Sequence, residues 1–204
     1  MTEIQVGSWR EEANAASVQL AISKLKTNPE LAIDQLTSLA ESGSVKSMLY
    51  LADALARGSV VKIDFRRARF WYKKIGERGI IFSDHMAGSM SVKLQELEQA
   101  RVDFWRCASA GFLPSIYRKG YMLSVGYGGN KDLAEARDFW KTAANRGHYG
   151  AGLYYAQLLR KGKFGIENVI PGIYLSFRWR IRFFVAIIAS RGRLVSHWDD
   201  RYIL

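Results

Sequence analysis

Glycines recur along this chain at a nearly constant spacing, and this period constrains the fold more than any other feature. Spacings of 36, 32 and 36 residues separate four of them, Gly43, Gly79, Gly111 and Gly147. Eleven positions before each glycine stands an alanine: Ala32, Ala68, Ala100 and Ala136. Fifteen positions after three of them stands a second glycine: Gly58, Gly126 and Gly162. Several columns with one common period indicate tandem repeats, each a single supersecondary unit.

Each repeat is predicted to form two helices. In the fourth repeat Asp132 is a good N-cap for the first helix, and small and aromatic residues follow it at helical spacing. Gly147 suits the left-handed position that ends a helix, and Gly162 ends the second helix in the same way. The first repeat begins with Asn28 as N-cap and Pro29 at the first helical position. Neither helix alone buries enough apolar surface, so the hairpins are expected to stack.

These residues resemble the Sel1-like repeat family, a relative of the tetratricopeptide repeat. In the second repeat the match comprises Asp64, Ala68, Trp71, Tyr72 and Gly79. In the fourth it comprises Asp132, Ala136, Phe139, Trp140, Ala143, Ala144, Gly147, Ala151, Tyr154, Leu158 and Gly162. The resemblance implies an all-α, right-handed α-solenoid of about ten helices. It also implies an adaptor that presents a surface to a partner protein, an inference that fold alone supports only by analogy.

The period divides the chain into a capping helix, an array and a divergent end. Residues 1–27 are predicted to form an N-terminal cap, with one helix from about Ser8 to Lys26. The array covers residues 28–165, with units at about 28–63, 64–95, 96–131 and 132–165. Residues 166–204 are a divergent, basic fifth repeat or a C-terminal cap, in which Gly192 continues the glycine column.

Two segments depart from the repeat pattern. The second unit lacks its terminal glycine and has Leu94 there instead. Its second helix is therefore expected to run with little loop into an extended first helix of the third unit. The sequence FRWRIRF at 177–183 alternates with period 2, which fits either an amphipathic edge strand or the start of the fifth first helix.

Basic residues are in excess and occupy equivalent positions in successive repeats. Lysine and arginine total 30 against 19 acidic residues, a formal charge of +11, which favours an anionic partner. The arginine column lies ten positions before the glycines and comprises Arg69, Arg101, Arg137 and Arg182; a second column, six positions before them, comprises Lys73, Trp105 and Lys141. Because equivalent positions align in a stack, these residues are predicted to bind a partner protein or an acidic peptide. The alternative is a solvated face that Asp103 and Asp138 partly neutralise.

The C-terminal region supplies a second hypothesis. From Arg160 to Leu204 there are nine basic and three acidic residues, and aromatic side chains alternate with some of the arginines. This mixture could bind nucleic acid or an anionic membrane surface. The residues concerned are Arg178, Arg180, Arg191 and Arg193. A packed cap with a cationic outer face explains the same pattern.

Catalytic and metal-binding patterns are weak. His85, His148 and His197 are far apart in the sequence and lack the spacing of metal ligands, so no metal or cofactor is expected. The His197–Asp200 cluster lacks a partner. The glycine-rich segment 126–132 lacks the ending of a phosphate-binding loop and falls on an inter-repeat turn. Cys107 occupies a column of small core residues, which favours burial over reactivity.

Features that the sequence lacks also predict the cellular location of the protein. A single cysteine excludes an internal disulfide framework, which favours a reducing compartment. The first residues are acidic where a signal peptide is basic, and the apolar run at 183–189 is too short to span a bilayer. We therefore expect a cytoplasmic, bacterial, non-enzymatic adaptor.

Overall fold

A computed structural model describes residues 14–189, which fold into ten α-helices and one short 3-10 helix. The α-helices are α1 Ala15–Lys24, α2 Pro29–Glu41, α3 Val45–Arg57, α4 Phe65–Gly76, α5 Ile81–Lys93, α6 Leu97–Ser109, α7 Leu113–Val125, α8 Leu133–Asn145, α9 Tyr149–Arg160 and α10 Val169–Ala189. The 3-10 helix, Ile166–Asn168, precedes α10. The all-helical fold expected from the period is confirmed. None of the helices within residues 14–189 combines the length and apolarity required to cross a bilayer.

Helix ends form where the repeat columns predict them. The side chains of Asn28, Asp64 and Asp132 accept hydrogen bonds from the backbone N–H groups three residues on, at 3.2, 3.0 and 2.9 Å. Each bond satisfies a donor that the first turn of a helix leaves open. All four glycines of the first column have positive φ, between 80° and 102°. A side chain would be strained there, so the column is a backbone requirement.

The chain divides into two compact units, with the boundary after Asp103 in α6. Within each unit, successive helices pack on one another, as in α3 on α4 and α7 on α8. The alanine column is fully buried: Ala32, Ala68, Ala100 and Ala136 each have 0% exposure. Trp140 fills the core of the second unit beside Ile116, Tyr117 and Ala151. Small residues thus let helices approach, and aromatic rings fill the space beyond them.

The departure in the second repeat is a tight turn after a helix that is buried all round. Nine consecutive residues of α5, from Ser83 to Ser91, are buried, which explains why this segment lacks an amphipathic pattern. Three residues then connect α5 to α6, and Gln95 takes the left-handed conformation at φ 61°. The expected short connection is confirmed. The expected extension of the next helix is wrong, because α6 has 13 residues like its neighbours, and the turn at Gln95 separates the two helices.

The C-terminal part of the described chain ends in one long helix. α10 has 21 residues, so the extra residues of the divergent segment form the 3-10 turn and the start of this helix. The FRWRIRF sequence lies in the middle of α10, which rules out the edge-strand interpretation. Of the predicted N-terminal helix, the structure describes α1 at Ala15–Lys24; positions 8–13 lie outside the described residues, as does Gly192.

Candidate functional site

In the first unit, two cations of the predicted columns are held by the protein's own carboxylates. Arg69 on α4 forms an ion pair with Glu96 and donates a hydrogen bond to Ser91 Oγ at 3.3 Å. Lys73 lies one turn further along α4, and its Nζ is 3.3 Å from Asp103 Oδ1. The Asp103 side chain is only 1% exposed. These side chains therefore link α4 to the α5–α6 turn and to α6.

In the second unit the equivalent arginine pairs with a carboxylate of its own helix, and the equivalent lysine is exposed. The Arg137 guanidinium on α8 pairs with its neighbour Asp138 at 2.8 Å, and this hydrogen bond raises the pKa of Arg137. The guanidinium carbon also lies 4.6 Å from the centroid of the Phe164 ring. Lys141 is exposed, and no hydrogen bond or ion pair joins it to any of residues 14–189.

In both units an arginine of the column makes a contact at the same sequence separation, but the chemical group that it contacts differs. Arg69 and Glu96 are 27 residues apart, and the same separation joins Arg137 to Phe164. Both arginines thus contact the connection that leads to the following repeat. That contact is a carboxylate in the first unit and an aromatic ring in the second. α10 contains no acidic residue, so it offers no counterpart to the carboxylate that Asp103 supplies from α6.

Trp105 is half-buried and belongs to a cation–aromatic cluster within the second unit. The Lys119 Nζ lies 4.7 Å from the Trp105 ring centroid and 4.1 Å from that of Phe139. The same ammonium is 3.6 Å from Glu135 Oε1. Lys119 itself was missed by sequence analysis because it belongs to none of the repeat columns. This cluster assigns the Trp105 ring a packing role.

The remaining candidate residues are distributed between the two units and the C-terminal helix. Arg101 is half-buried on α6 in the first unit. Arg178, Arg180 and Arg182 are exposed on α10, and the Arg182 guanidinium carbon lies 5.2 Å from the Trp179 ring centroid. Two further candidates, Arg191 and Arg193, lie outside the described residues.

Sequence analysis also missed an apolar surface on α10. Its side chains recur every three or four residues and are at least 47% exposed: Ile170, Ile173, Tyr174, Phe177, Ile181, Phe184, Val185 and Ile188. The spacing was present in the sequence, but a helix with this pattern is normally assigned to a core. Only the packing of α10 shows that the stripe faces solvent.

The described histidines and the cysteine have structural surroundings. His148 caps α9, with its Nδ1 accepting a hydrogen bond from the Ala151 N–H at 3.1 Å, and burial, reinforced by the charge of Arg118, lowers its pKa to about 4. Cys107 and His85 are buried. Within residues 14–189 no group of histidine, cysteine and acidic side chains could hold a metal ion. His197 and its acidic neighbours lie outside the described residues.

Comparison with known proteins identifies the repeat. The family model described as the Sel1 repeat matches residues 45–80 and 113–148. Each match covers one second helix and the following first helix, α3 with α4 and α7 with α8. No curated protein matches the sequence.

Two solved structures share the fold. One is c5321, a protective antigen of uropathogenic Escherichia coli strains displaying an SLR fold, with a TM-score of 0.64 and 19% identity. That match covers 80% of this chain but 38% of c5321, so this chain spans well under half of that protein. The other is a Sel1 repeat protein from Oxalobacter formigenes, with a TM-score of 0.62, 19% identity, and coverage of 82% of this chain and 74% of that one. The chain thus contains Sel1 repeats and has the α-solenoid fold of the Sel1-like repeat proteins.

Proposed function

We propose that this protein is a non-enzymatic scaffold that binds an acidic segment of a partner protein at Arg137 and Lys141 on α8. Proteins built from Sel1 repeats generally serve as protein-interaction scaffolds. The observation that carries the specific proposal is the contrast between the units. In the first, Glu96 and Asp103 neutralise the column cations. In the second, α10 contributes no acidic residue; Arg137 pairs only with its sequence neighbour Asp138 among the described residues, and Lys141 is exposed.

The geometry of α8 suits a short acidic segment. Arg137 and Lys141 are four residues apart and therefore lie on one face of the helix. The Phe164 ring supports the Arg137 guanidinium from one side. Its Nε and Nη2 lie 2.8 Å from Asp138 Oδ1, so a partner carboxylate would share this guanidinium with Asp138. A partner segment with two carboxylates one helical turn apart would supply the charges that Glu96 and Asp103 supply within the first unit.

The expected affinity is modest and sensitive to salt. Each exposed ion pair contributes about 0.2–1 kcal/mol to the free energy of binding. The two cations therefore affect partner specificity and the association rate more than the affinity. We expect binding to weaken markedly between low and moderate ionic strength, because exposed charges are screened over roughly 10 Å at 0.1 M salt.

The test is capture of a partner by the full chain from lysate with and without nuclease treatment, followed by titration of the purified partner. Wild type is compared with Arg137→Glu/Lys141→Glu and with a charge-matched control, Arg66→Glu/Arg67→Glu, whose side chains are exposed on α4. The α8 variant should bind at least about ten-fold more weakly, since two attractions become repulsions. The control should bind like wild type. Equal binding by all three proteins, or material that nuclease removes, would refute the proposal.

A further inference from the structure

The outward side of α10 is an extended apolar surface. The eight large side chains of this stripe, from Ile170 to Ile188, are between 47% and 79% exposed. Their spacing places them within one face of the helix, over a length of about 27 Å at 1.5 Å per residue. Monomeric soluble proteins rarely leave so long an apolar patch open unless it binds something.

The opposite side of α10 fixes the helix on its unit. Trp179 is 7% exposed and its ring lies over Gly152 of α9, where an added Cβ would stand 2.2 Å from the ring. At Gly172, an added Cβ would stand 2.4 Å from the backbone nitrogen of Arg160. Since Trp179 is half a turn away from Ile170 and Ile188 in projection, this anchoring directs the apolar stripe away from the unit.

Cations border the stripe on both sides. Arg178 and Arg180 are exposed and project about 80° to either side of the stripe's centre at 100° per residue. Between residues 161 and 189 the only acidic residue is Glu167, whereas Lys161, Lys163 and three arginines are basic. A second copy of the chain would bring the same arginines together, so the charge opposes self-association through this face.

We propose that this face of α10 binds the surface of an anionic membrane. The apolar side chains would enter the boundary between headgroups and acyl chains, and Arg178 and Arg180 would reach the lipid phosphates on either side. A protein partner that recognises a helix usually receives it in a groove between elements. Here one convex helix presents its whole length, which a planar lipid surface can contact throughout. This function is separate from the proposed protein-binding site on α8 and would bring the scaffold and its partner to a membrane.

The test is co-sedimentation of the purified full chain with vesicles of phosphatidylcholine containing about one-third phosphatidylglycerol, against vesicles of phosphatidylcholine alone. Binding should require the anionic lipid and decline with salt. Arg178→Gln/Arg180→Gln should lower the partition coefficient about thirty-fold, and Phe177→Ser/Phe184→Ser about a hundred-fold. Matched controls, Arg66→Gln/Arg67→Gln for charge and Phe70→Ser for an exposed ring on α4, should bind like wild type. The substituted side chains are exposed, so the fold should be unchanged by circular dichroism.

A spectroscopic measurement distinguishes insertion from adsorption. Because wild type already contains six tryptophans, the readout is the difference in emission between Phe177→Trp and wild type. This added emission should shift to the blue on anionic vesicles and be quenched by brominated lipid. Several outcomes would overturn the proposal: no vesicle binding, equal loss in the controls, binding that follows charge but not Phe177 and Phe184, or a dimer that Phe177→Ser/Phe184→Ser dissociates. Preference for nucleic acid over vesicles would overturn it as well. Arg137→Glu/Lys141→Glu should bind vesicles like wild type, which separates this test from that of the α8 site.

Discussion

His148 couples the start of one helix to the pH of the solution. Its Nδ1 accepts a hydrogen bond from the N–H of Ala151, and its ring stacks on Tyr117 with the centroids 4.5 Å apart. Burial lowers the pKa of His148 from 6.5 to about 4, and the positive charge of Arg118 acts in the same direction. Protonation would place a donor at Nδ1, so the cap on α9 exists only with the neutral ring.

Mild acid is therefore expected to destabilise the protein through His148. Because the folded pKa lies below the unfolded value of 6.5, the stabilisation is complete above pH 6.5 and is lost as the pH falls to about 4. The shift corresponds to up to about 3 kcal/mol of unfolding free energy. Urea unfolding across this range should show a steeper decline in wild type than in His148→Asn, which keeps a capping acceptor without a titrating ring. Parallel pH profiles for the two proteins would contradict the assignment.

The structural role of a single residue could be predicted from the sequence where that residue type often has the role. Asp132 and Asn28 are frequent N-caps, and Gly147 lies where a helix needs a left-handed residue, so all three were recognised. His148 was not, because histidine seldom caps a helix. Its position one residue after Gly147, like Ser44 after Gly43, was the only available signal.

At the level of helices, α10 is held on α9 by an aromatic ring over a glycine. An added methyl group at Gly152 would overlap the Trp179 ring. We expect Gly152→Ala to lower the unfolding free energy by about 1–2 kcal/mol, since the overpacking cost exceeds the gain in helix propensity. Urea unfolding measures the change directly.

A double-mutant cycle separates this contact from a general effect on α9. In a Trp179→Leu background the ring is absent, so Gly152→Ala should become neutral or stabilising by up to about 1 kcal/mol. Equal destabilisation in both backgrounds would mean that the alanine acts elsewhere than on the ring.

Whole helices could be predicted from the sequence where they belong to a repeat that follows the common pattern closely. The paired helices of the fourth repeat, α8 and α9, were expected from caps, glycines and apolar spacing. α10 was only partly foreseen, because its alternation of arginine with aromatic residues fits a strand as well as a helix. The helical assignment is fixed by a contact between two helices, the packing of Trp179 on Gly152. Local periodicity does not encode such a contact.

At the scale of the molecule, the sequence predicts which residues occupy equivalent positions in successive repeats. It does not predict which groups their side chains contact. The period correctly placed Arg69 and Arg137 in the same structural position, and each contacts the residue 27 places on. Whether that residue is a carboxylate or a ring depends on the departures of each repeat from the pattern. Those departures replace the Glu96 carboxylate at Arg69 with the Phe164 ring at Arg137, whose ion pair is with Asp138 of its own helix.

Repeats also imply that a local perturbation should remain local. Helices contact chiefly their neighbours, and the chain divides into two compact units. An added Cβ at Gly120 on α7 would stand 2.7 Å from the Trp140 ring, so Gly120→Ala should loosen the core of the second unit. Hydrogen exchange should then accelerate in α7, α8 and α9 while α2, α3 and α4 keep their wild-type protection, because stability in repeat arrays propagates through nearest-neighbour interfaces. Lys131→Ala, an exposed change in the turn between α7 and α8, should leave both units unaffected. If α3 and α4 lost protection as fast as α8, the two units would unfold as one cooperative body and the nearest-neighbour description would fail for this chain.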